Sequence, residues 1–452
     1  MVISMPARAV ACSRVHVSCF LTHAAWLALN VASMLRLTAR PTSAIFPWTR
    51  CASTANAKLD LTAPAFLQQP VDASASANIA QTVGFERAAG ALPAPAEPVA
   101  VQSRYALPGA ARPETNKLLP AVLAPPRQDF PAVVDAVCAG ASGSTGAPPA
   151  SPVDWAQALR PQLDELLPQS GVVVVRGIDE LAEPAAFSQF VEAMKSSYSC
   201  TKFMEGRSMT STQLTDLVRT GSDDHPAYTI EPHNEYNVVA RHRPRKLFLA
   251  CAEEPLRGSG GEWVITDGSA LLRALPEALL KQFVEKGVRY ELYYPSEGDG
   301  VYNSWQGNIA PSRAEAEAFL QRNGCQWSWN EDDGSLFIHR VMPAMALHPN
   351  SGEPCWFNQI HAHHRTFYQD CHPDFEGADE AGPWPVHTKF GDGTEIHDDD
   401  IARIREAVWA TSVAVPLQRG MVMVVDNYLA LHGRMGYEPG SPRQTMVGII
   451  YE

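Results

Sequence analysis

Apolar side chains recur along this chain at two different spacings, which predict where helices and strands lie. At 154–167 and 187–194 they recur every three or four residues, a spacing typical of amphipathic helices. The run GVVVVRG at 171–177 is short, β-branched and bounded by glycines, so it predicts a buried strand. Helical spacing returns at 269–283. The early part of the folded region is therefore predicted to contain helices and a buried strand.

Strand-like segments dominate the remainder of the chain. They are short, apolar and separated by turn residues, at 246–252, 288–294, 336–341, 355–360, 411–417, 421–425 and 445–451. Many short strands late in the chain, with helices early and on the flanks, favour an α+β fold. Its core is expected to be an antiparallel double-stranded β-helix, or jelly roll, rather than a doubly wound sheet. The polar, turn-rich stretch 365–400 predicts an insertion in or over that core.

The first 59 residues differ in composition from the rest. They contain no Asp or Glu, six basic residues and many Ser, Thr and Ala, which is typical of a transit peptide for a mitochondrion or plastid. A secretory or bipartite leader is one alternative, because 19–35 is apolar, although polar residues interrupt it and it is shorter than the roughly 20 residues of a membrane span. A retained structural segment is another. Residues 60–114 are rich in Ala and Pro and predict a linker, so the folded domain is expected at 115–452.

The charge balance restricts the class of partner. The chain has 36 Lys and Arg against 49 Asp and Glu, a formal net charge of −13, and beyond residue 59 the balance is 30 against 49. An acidic chain without a basic block is poorly suited to the phosphate backbone, so we expect no nucleic-acid partner. The nine cysteines are odd in number and form no Cys-x-x-Cys pair, which argues against a disulfide framework.

The stretch PHNEYN at 232–237 contains the first residues suited to chemistry. In an extended strand, residues two apart point to the same face. His233 and Glu235 can therefore direct an imidazole nitrogen and a carboxylate oxygen to one point, while Asn234 faces away. His-x-Glu also occurs by chance, and a hydrogen-bonded surface pair is the plain alternative.

Two further residues follow a predicted core strand near the C-terminus. His432 comes shortly after the apolar run 420–425, where it can complete a metal site from another part of the sheet. Arg443 lies eleven residues later, before the last strand, and Arg can bind a carboxylate through two parallel charged hydrogen bonds. Taken singly, the alternatives are a hydrogen-bonded loop histidine and a surface ion pair.

The combination of these residues is more specific than any one of them. Two imidazoles and one carboxylate on one face of an octahedral ion leave three positions open, as in non-haem Fe(II) oxygenases. Zinc more often takes a closed tetrahedral set or a three-ligand hydrolytic site. The alternative to an oxygenase is a cupin-like metal-binding protein without redox chemistry, either a zinc hydrolase or a non-catalytic binder.

Four stretches carry a resemblance to a known family: PHNEYN at 232–237, SGGEW at 259–263, HPNSGEPCWFNQ at 348–359 and GMVMVVDNYLALHGRMGYEPGSPR at 420–443. Over about 115–452 the chain resembles the TauD/TfdA family of Fe(II)- and 2-oxoglutarate-dependent dioxygenases, and most closely its clavaminate synthase-like branch. The resemblance implies a double-stranded β-helix. It also implies that 2-oxoglutarate and O₂ are converted to succinate and CO₂ while a small-molecule substrate is oxidised at a C–H bond.

The same resemblance implies roles for individual residues. His233, Glu235 and His432 would ligate Fe(II), and Arg443 would bind the distal carboxylate of 2-oxoglutarate. Relatives often place a Thr after Gly-Gly-Asp/Glu to bind the oxo acid. Trp263 stands there in this chain, so the nearest hydroxyl, that of Thr266, is assigned to the role, with a solvent-facing strand hydroxyl as the alternative.

Other positions near these motifs bear on specificity. Four residues past Arg443, where taurine enzymes use a second Arg, this chain has Val447, which disfavours an alkylsulfonate substrate. The histidines at 361, 363 and 364 are predicted to lie at the surface or in the substrate pocket rather than in a second metal site, because no carboxylate occurs at comparable spacing. Asp426 and Asn427 are predicted either to orient His432 or to cap the strand end.

Overall fold

The fold is that of a computed structural model, which describes residues 85–87, 126–127, 130–136, 149, 151–197, 211–236, 238, 243–298, 302–371, 375 and 378–451. All of them belong to one compact unit, Ala63–Glu452. The predicted leader at 1–59 lies outside the described residues, as does most of the predicted linker at 60–114. Within the described ranges no helix is long and apolar enough to cross a membrane.

The described part of the chain contains short strands and helices of varied length. The strands are β1 (Phe85–Arg87), β2 (Ala132–Ala136), β3 (Val172–Arg176), β4 (Val218–Thr220), β5 (Ile230–His233), β6 (Lys246–Glu253), β7 (Trp263–Asp267), β8 (Val288–Tyr294), β9 (Gln326–Trp329), β10 (Leu336–Met342), β11 (Met345–Leu347), β12 (Pro354–Trp356), β13 (Val386–Phe390), β14 (Ser412–Val415), β15 (Val422–Asp426), β16 (Ala430–Arg434) and β17 (Gln444–Ile450). The helices are α1 (Pro152–Ser170), α2 (Pro184–Ser197), α3 (Gly268–Ala274), α4 (Glu277–Lys286), α5 (Trp305–Asn308), α6 (Arg313–Asn323), α7 (Arg365–Cys371) and α8 (Asp398–Ala410).

Two sheets form the central part of the fold. The larger sheet has the strand order β1-β2-β3-β15-β6-β17-β4, and the smaller one has the order β14-β7-β16-β5. Along the chain, β4 to β7 and β14 to β17 alternate between the two sheets, and their neighbours in each sheet run antiparallel. This alternation is the winding of a double-stranded β-helix. The predicted jelly-roll core is therefore confirmed.

Strand β3 shows how the layers pack. Val172 and Val174 share a core cluster with residues of the smaller sheet such as Ile265, whereas Val173 and Val175 pack with helices α1 and α2. Both faces of the strand are buried, which explains its uninterrupted run of valines. The jelly roll thus has its core between the sheets and a helical layer outside the larger sheet.

A long insert, residues 268–411, separates β7 from β14. It contains helices α3 to α8 and a sheet with the strand order β13-β8-β10-β9. Its apolar side chains form a second core that includes Leu292, Trp356 and Phe357. The insert is larger than the stretch 365–400 predicted from polar composition, because it also contains apolar segments that pack around a core of their own.

Three predicted elements differ in detail from the observed ones. The helix expected at 269–283 is two helices, α3 and α4, because Pro276 disfavours helical geometry in the residue before it and lacks an N–H. The strand expected at 355–360 ends at Trp356. Strand β1 lies inside the predicted linker 60–114 and pairs with β2.

Candidate metal centre

His233 is the last residue of β5, and a main-chain contact orients its ring. Its Nδ1 lies 2.8 Å from the carbonyl oxygen of Glu231. Because a carbonyl oxygen only accepts hydrogen bonds, Nδ1 carries the proton in the neutral ring. The lone pair of Nε2 is left for a ligand, and this is the tautomer expected of an imidazole that binds a metal.

His432 lies in β16, next to β5 in the smaller sheet, and pairs in register with His233. The centroids of the two rings are 4.7 Å apart. On the other side of β16, His432 pairs with Ile265 of β7, whose side chain lies in the core between the sheets. Directly paired residues of antiparallel strands share a face, so His432 faces the interior of the jelly roll. It lies within a strand, not past the end of one as predicted.

Glu235 completes the group from the loop that follows β5. Its Oε2 lies 3.9 Å from Nε2 of His233 and 3.7 Å from Nε2 of His432. One ligand atom from each of the three residues lies within 4.8 Å of the others. The structure therefore brings together the three residues that the sequence predicted as iron ligands.

Buried amides, rather than a strand partner, hold the main chain of Glu235. Its N–H donates to Oδ1 of Asn427 over 2.7 Å, and Nδ2 of Asn427 donates to its carbonyl over 2.8 Å. Gln359 holds the residues before and after Glu235. Its Nε2 donates to the carbonyls of Asn234 and Tyr236 over 2.8 and 3.3 Å. The carboxylate is thus fixed by contacts distant in sequence.

The protonation states of Glu235 and His432 suit metal binding at neutral pH. Burial raises the pKa of Glu235, but His233 and His432 outweigh this effect and hold the pKa below its usual value. Burial lowers the pKa of His432 to about 3, and the charge of His233 adds to the shift. Burial also lowers the pKa of His233, but its contact with Glu235 leaves it raised overall. Glu235 is therefore ionised and His432 neutral, the forms that ligate a metal.

Arg443 lies just before β17, with its guanidinium buried beside these groups. Its Nε donates to the carbonyl of Gly261 over 2.7 Å, Nη1 lies 3.4 Å from Oγ1 of Thr445, and the guanidinium carbon is 5.4 Å from the centroid of the Tyr437 ring. In the part of the chain that the structure describes, no carboxylate lies within ion-pairing distance of it. A buried cation without a counter-ion is unfavourable, so this position favours an anionic ligand.

Gly261 is required for Arg443 to lie in this place. Its φ of +86° is in the left-handed region that favours glycine, and a Cβ on it would lie 2.7 Å from Cδ of Arg443. The second glycine of the SGGEW stretch is therefore needed because the aliphatic part of the Arg443 side chain approaches it too closely for a larger residue.

All of these groups line one cavity of about 360 Å³, whose wall includes His233, Glu235, His432 and Arg443. The volume falls within the range of about 300–1,000 Å³ that is usual for small-molecule sites. Two imidazoles, a carboxylate and a buried cation at one cavity fit a metal ion together with an anionic ligand.

A family model described as "Taurine catabolism dioxygenase TauD, TfdA family" matches residues 132–450. The chain belongs to the TauD/TfdA dioxygenase family. This match confirms the resemblance seen in the sequence. It also confirms the predicted class of enzyme, an Fe(II)- and 2-oxoglutarate-dependent dioxygenase, and its two cofactors.

Individual relatives are similar over most of their length. The dapdiamide synthesis protein DdaC of Enterobacter agglomerans is 28% identical over 279 residues, which are 61% of this chain and 81% of that protein. A clavaminate synthase-like protein of Arabidopsis thaliana is 26% identical over 344 residues, 74% of this chain and 94% of that protein. The crystal structure of PvcB from Pseudomonas aeruginosa is 14% identical, with a TM-score of 0.41, and the match covers 76% of this chain and 95% of that one.

Thr266 is not part of the cavity, which corrects the role assigned to its hydroxyl. Its Oγ1 is buried and lies 2.6 Å from Oγ of Ser412. Its neighbour in β7, Ile265, shares a face with His432, and adjacent strand residues point to opposite faces. The hydroxyl of Thr266 therefore links β7 to β14 and faces away from Arg443.

Neither Asp426 nor Asn427 contacts His432, so the first of their two predicted roles, orienting this ring, is wrong. Oδ2 of Asp426 lies 3.3 Å from Nε2 of His348 and 3.8 Å from Nη2 of Arg245, in a buried charged group behind the site. Asn427 acts instead on the carboxylate ligand, through the hydrogen bonds described above. It is a positioning residue for Glu235.

The three histidines at 361–364 lie in different surroundings. His363 lines the cavity, which agrees with the predicted position in a substrate pocket. His361 and His364 are fully buried instead, and burial lowers their pKa values to about 4 and about 2. The expectation of surface or pocket histidines is therefore correct for one of them only.

His364 forms a cluster with His387 and Glu395, a carboxylate that the sequence spacing did not reveal. The main-chain N–H groups of Thr366 and Arg365 donate to Nδ1 of His364 and His387, respectively. Nε2 of each neutral ring therefore carries the proton, and Nε2 of His387 donates to Glu395 over 3.0 Å. With neither Nε2 lone pair available, the cluster is a hydrogen-bonded group rather than a second metal site.

Gln359 is the residue of the site that sequence reasoning missed. It is the last residue of the quoted stretch at 348–359, but no role was assigned to it. The two amides Asn358 and Gln359, which directly follow the apolar Trp356 and Phe357, are a usable signal, because buried amides require hydrogen-bond partners from other parts of the chain.

Proposed function

We propose that this chain oxidises a C–H bond of a small molecule with O₂ and 2-oxoglutarate, and that His233, Glu235 and His432 hold the Fe(II). The observation that carries this proposal is the convergence of one ligand atom from each residue within 4.8 Å, beside the buried guanidinium of Arg443. Succinate and CO₂ are the expected products of the oxo acid.

The set of donors supports an iron site with open positions. Two imidazoles and one carboxylate occupy one face of an octahedral ion and leave two positions for a bidentate 2-oxo acid and one for O₂. In the described ranges no fourth His, Cys, Asp or Glu places a ligand atom within 4.8 Å of all three. Bound Fe(II) would supply the activation of O₂ that no amino-acid side chain provides.

The residues around the proposed iron site have separate roles in this arrangement. His233 keeps its Nδ1 proton on the Glu231 carbonyl and presents Nε2. Asn427 and Gln359 fix the main chain that carries Glu235. These contacts set the ligand geometry before the metal binds, which reduces the reorganisation that binding requires.

Arg443 is proposed to bind the distal carboxylate of 2-oxoglutarate. Nε is already used by the Gly261 carbonyl and one N–H of Nη1 contacts Oγ1 of Thr445, while the other N–H groups of Nη1 and Nη2 remain for a carboxylate ligand. A 2-oxo acid bound there through its far end would direct its other end toward the metal ligands that line the same cavity. A zinc hydrolase has no need of a buried cation in the same cavity as its metal ligands. The family assignment also does not favour that alternative.

The role of the N-terminal region and the bounds of the catalytic domain are also proposed. We propose that 1–59 directs import into a mitochondrion or plastid and that the catalytic domain occupies 115–452. The support is the lack of acidic residues in 1–59, where six basic residues occur. A fluorescent protein fused after residue 59 should enter one of these organelles, and retention in the cytosol or secretion would contradict the proposal.

Turnover of the oxo acid tests the proposed function. The purified chain with Fe(II), ascorbate, O₂ and 2-oxoglutarate is expected to release succinate slowly without a prime substrate and faster with one. His233→Ala should abolish this release, whereas His397→Ala, at a histidine 74% exposed and outside the site, should not. Succinate release that is the same with and without Fe(II) would refute the proposal.

A further inference from the structure

The cavity has two sides of different character. The side formed by the jelly roll carries Arg443 and the proposed iron ligands. The side formed by the insert is mostly apolar, since Leu292, Tyr294, Ile309, Phe367, Tyr368 and Val386 are among its lining residues, although Asn308, Gln359 and His363 line it as well. A ligand that bridges the two sides therefore meets charge at one end and hydrocarbon at the other.

The apolar wall is supported from behind, so its shape is fixed. Leu292 of β8 and Val386 of β13 are direct cross-strand partners, and their side chains lie side by side on one face. They are only 4% and 6% exposed. The ring of Tyr368 stacks on Trp384 at a centroid distance of 6.2 Å. Such a wall favours a hydrocarbon surface on the ligand, because both surfaces then leave water.

Gln359 is one of the polar residues on this side of the cavity. Its Nε2 is bound to two carbonyl oxygens, which fixes the orientation of the amide. Its Oε1 is buried and has no hydrogen-bond partner in the part of the chain that the structure describes. A buried acceptor without a donor is unfavourable, so the site favours a ligand that brings an N–H or O–H group.

The size of the cavity narrows the class of ligand further. Its volume of about 360 Å³ is near the lower end of the usual range and has to accommodate 2-oxoglutarate as well. The charged side chains of the lining are of both signs, Asp224 and Glu231 as well as Arg219 and Arg434, so the size of the cavity is the restricting property. A bulky prime substrate is therefore disfavoured.

From these observations we infer that the prime substrate is a small molecule with a hydrocarbon body and one N–H or O–H donor. The body lies against Leu292 and Val386, and the donor binds Oε1 of Gln359. This inference rests on the proposed function, since it takes the cavity as the active site. It adds the substrate class and assigns Leu292 and Val386 as specificity-determining residues.

Binding of matched fragments tests the inference without turnover. Ligand-observed NMR on the full chain loaded with Zn²⁺ and 2-oxoglutarate would compare cyclohexanol, cyclohexyl methyl ether and cyclohexanecarboxylate. Cyclohexanol is expected to bind at least about tenfold more tightly than the other two, because only it offers a hydrogen-bond donor to Oε1 of Gln359. Equal binding of the three, preference for the carboxylate, or no binding of cyclohexanol would overturn the inference.

Substitutions in the apolar wall test whether cyclohexanol binds against it. Leu292→Asn keeps the side-chain size but makes it polar, and should weaken cyclohexanol binding about 10- to 100-fold. Leu347→Asn is the matched control, because that leucine is 52% exposed and does not line the cavity. Val386→Thr is a milder second variant if Leu292→Asn does not fold, and it should weaken binding in the same direction. Unchanged affinity in the folded wall variants would overturn the inference.

A separate measurement distinguishes this inference from the proposed function. Binding of 2-oxoglutarate to the metal-loaded protein is measured in the same samples. If 2-oxoglutarate does not bind, the proposed function fails. If it binds and the fragment preference is absent, only the substrate class is wrong.

Discussion

The side-chain amide of Asn427 hydrogen-bonds to both main-chain polar groups of Glu235. Oδ1 lies 2.7 Å from the amide nitrogen and Nδ2 lies 2.8 Å from the carbonyl oxygen, and Nδ2 also donates to the carbonyl of Pro244 over 2.9 Å. Strand β5 ends at His233, so no ladder partner holds the next residues. Asn427 takes the place of that partner and connects the end of β15 to the carboxylate ligand.

Removal of this amide should weaken metal binding more than it weakens the fold. Asn427→Ala is expected to lower Fe(II) affinity about 10- to 100-fold, because residues that orient metal ligands typically contribute that much. Equilibrium dialysis under anaerobic conditions would measure the change. Asn350→Ala, at an exposed asparagine in a turn, is the matched control. Equal Fe(II) affinity in the two variants would contradict the positioning role.

Arg443→Ala should reduce the affinity for 2-oxoglutarate by about 2–3 kcal/mol, which corresponds to roughly 30- to 150-fold in Kd. The reason is the loss of a buried charge-assisted contact with the distal carboxylate. Isothermal titration of the metal-loaded protein measures the effect. Arg419→Ala removes an arginine that is half exposed and pairs with Glu183, and it should leave the affinity unchanged. Wild-type affinity in Arg443→Ala would rule out the assignment.

A pair of glycines isolates the packing of Arg443. Gly261→Ala places a Cβ 2.7 Å from Cδ of Arg443, whereas Gly258→Ala meets nothing within 4 Å, although both glycines have a positive φ, +86° and +81°. Both changes introduce similar backbone strain, of order 1 kcal/mol. Only Gly261→Ala is expected to weaken 2-oxoglutarate binding in the titration. Equal losses in both variants would show that strain, not displacement of Arg443, is responsible.

Two buried histidines should make the fold sensitive to acid. Burial lowers the pKa of His361 to about 4 and that of His364 to about 2, while unfolded histidine titrates near about 6.5. Below that pH the unfolded chain therefore binds more protons than the folded one. Each group then removes up to about 1.4 kcal/mol of stability per pH unit as the pH falls toward its folded pKa.

Denaturant unfolding between about pH 7.5 and 5 would measure this dependence. His364→Gln should reduce the slope by one proton, and His397→Gln, which changes an exposed histidine, should not alter it. A slope that is the same in wild type and His364→Gln would show that this ring is not buried and neutral.

The sequence allowed the prediction of the parts of the site that depend on local spacing. His233 and Glu235 are two residues apart, and His432 and Arg443 lie in and between the last two strands of the jelly roll, so their types and order were informative. The contacts of Asn427 and Gln359 were not predictable, because Asn427 meets Glu235 across 192 positions and Gln359 meets Asn234 across 125. Hydrogen bonds between distant segments leave no periodic pattern in the sequence.

Strand parity explains the error at Thr266. Its distance along the chain from the Gly-Gly pair was suitable, but one residue decides which face of β7 a side chain occupies, and Ile265 occupies the inner one. The extent of the insert was underestimated for a different reason. The stretch 365–400 was recognised by its polarity, whereas the apolar segments of the insert resemble core strands in composition.

Anaerobic titration of the metal-free protein with Fe(II) in the presence of 2-oxoglutarate tests the central claim most directly. We predict a visible charge-transfer absorption that saturates at one iron per chain, is lost in His233→Ala, Glu235→Ala and His432→Ala, and is kept in His397→Ala. An absorption of full strength in any of the three ligand variants would contradict the claim that these side chains share one iron.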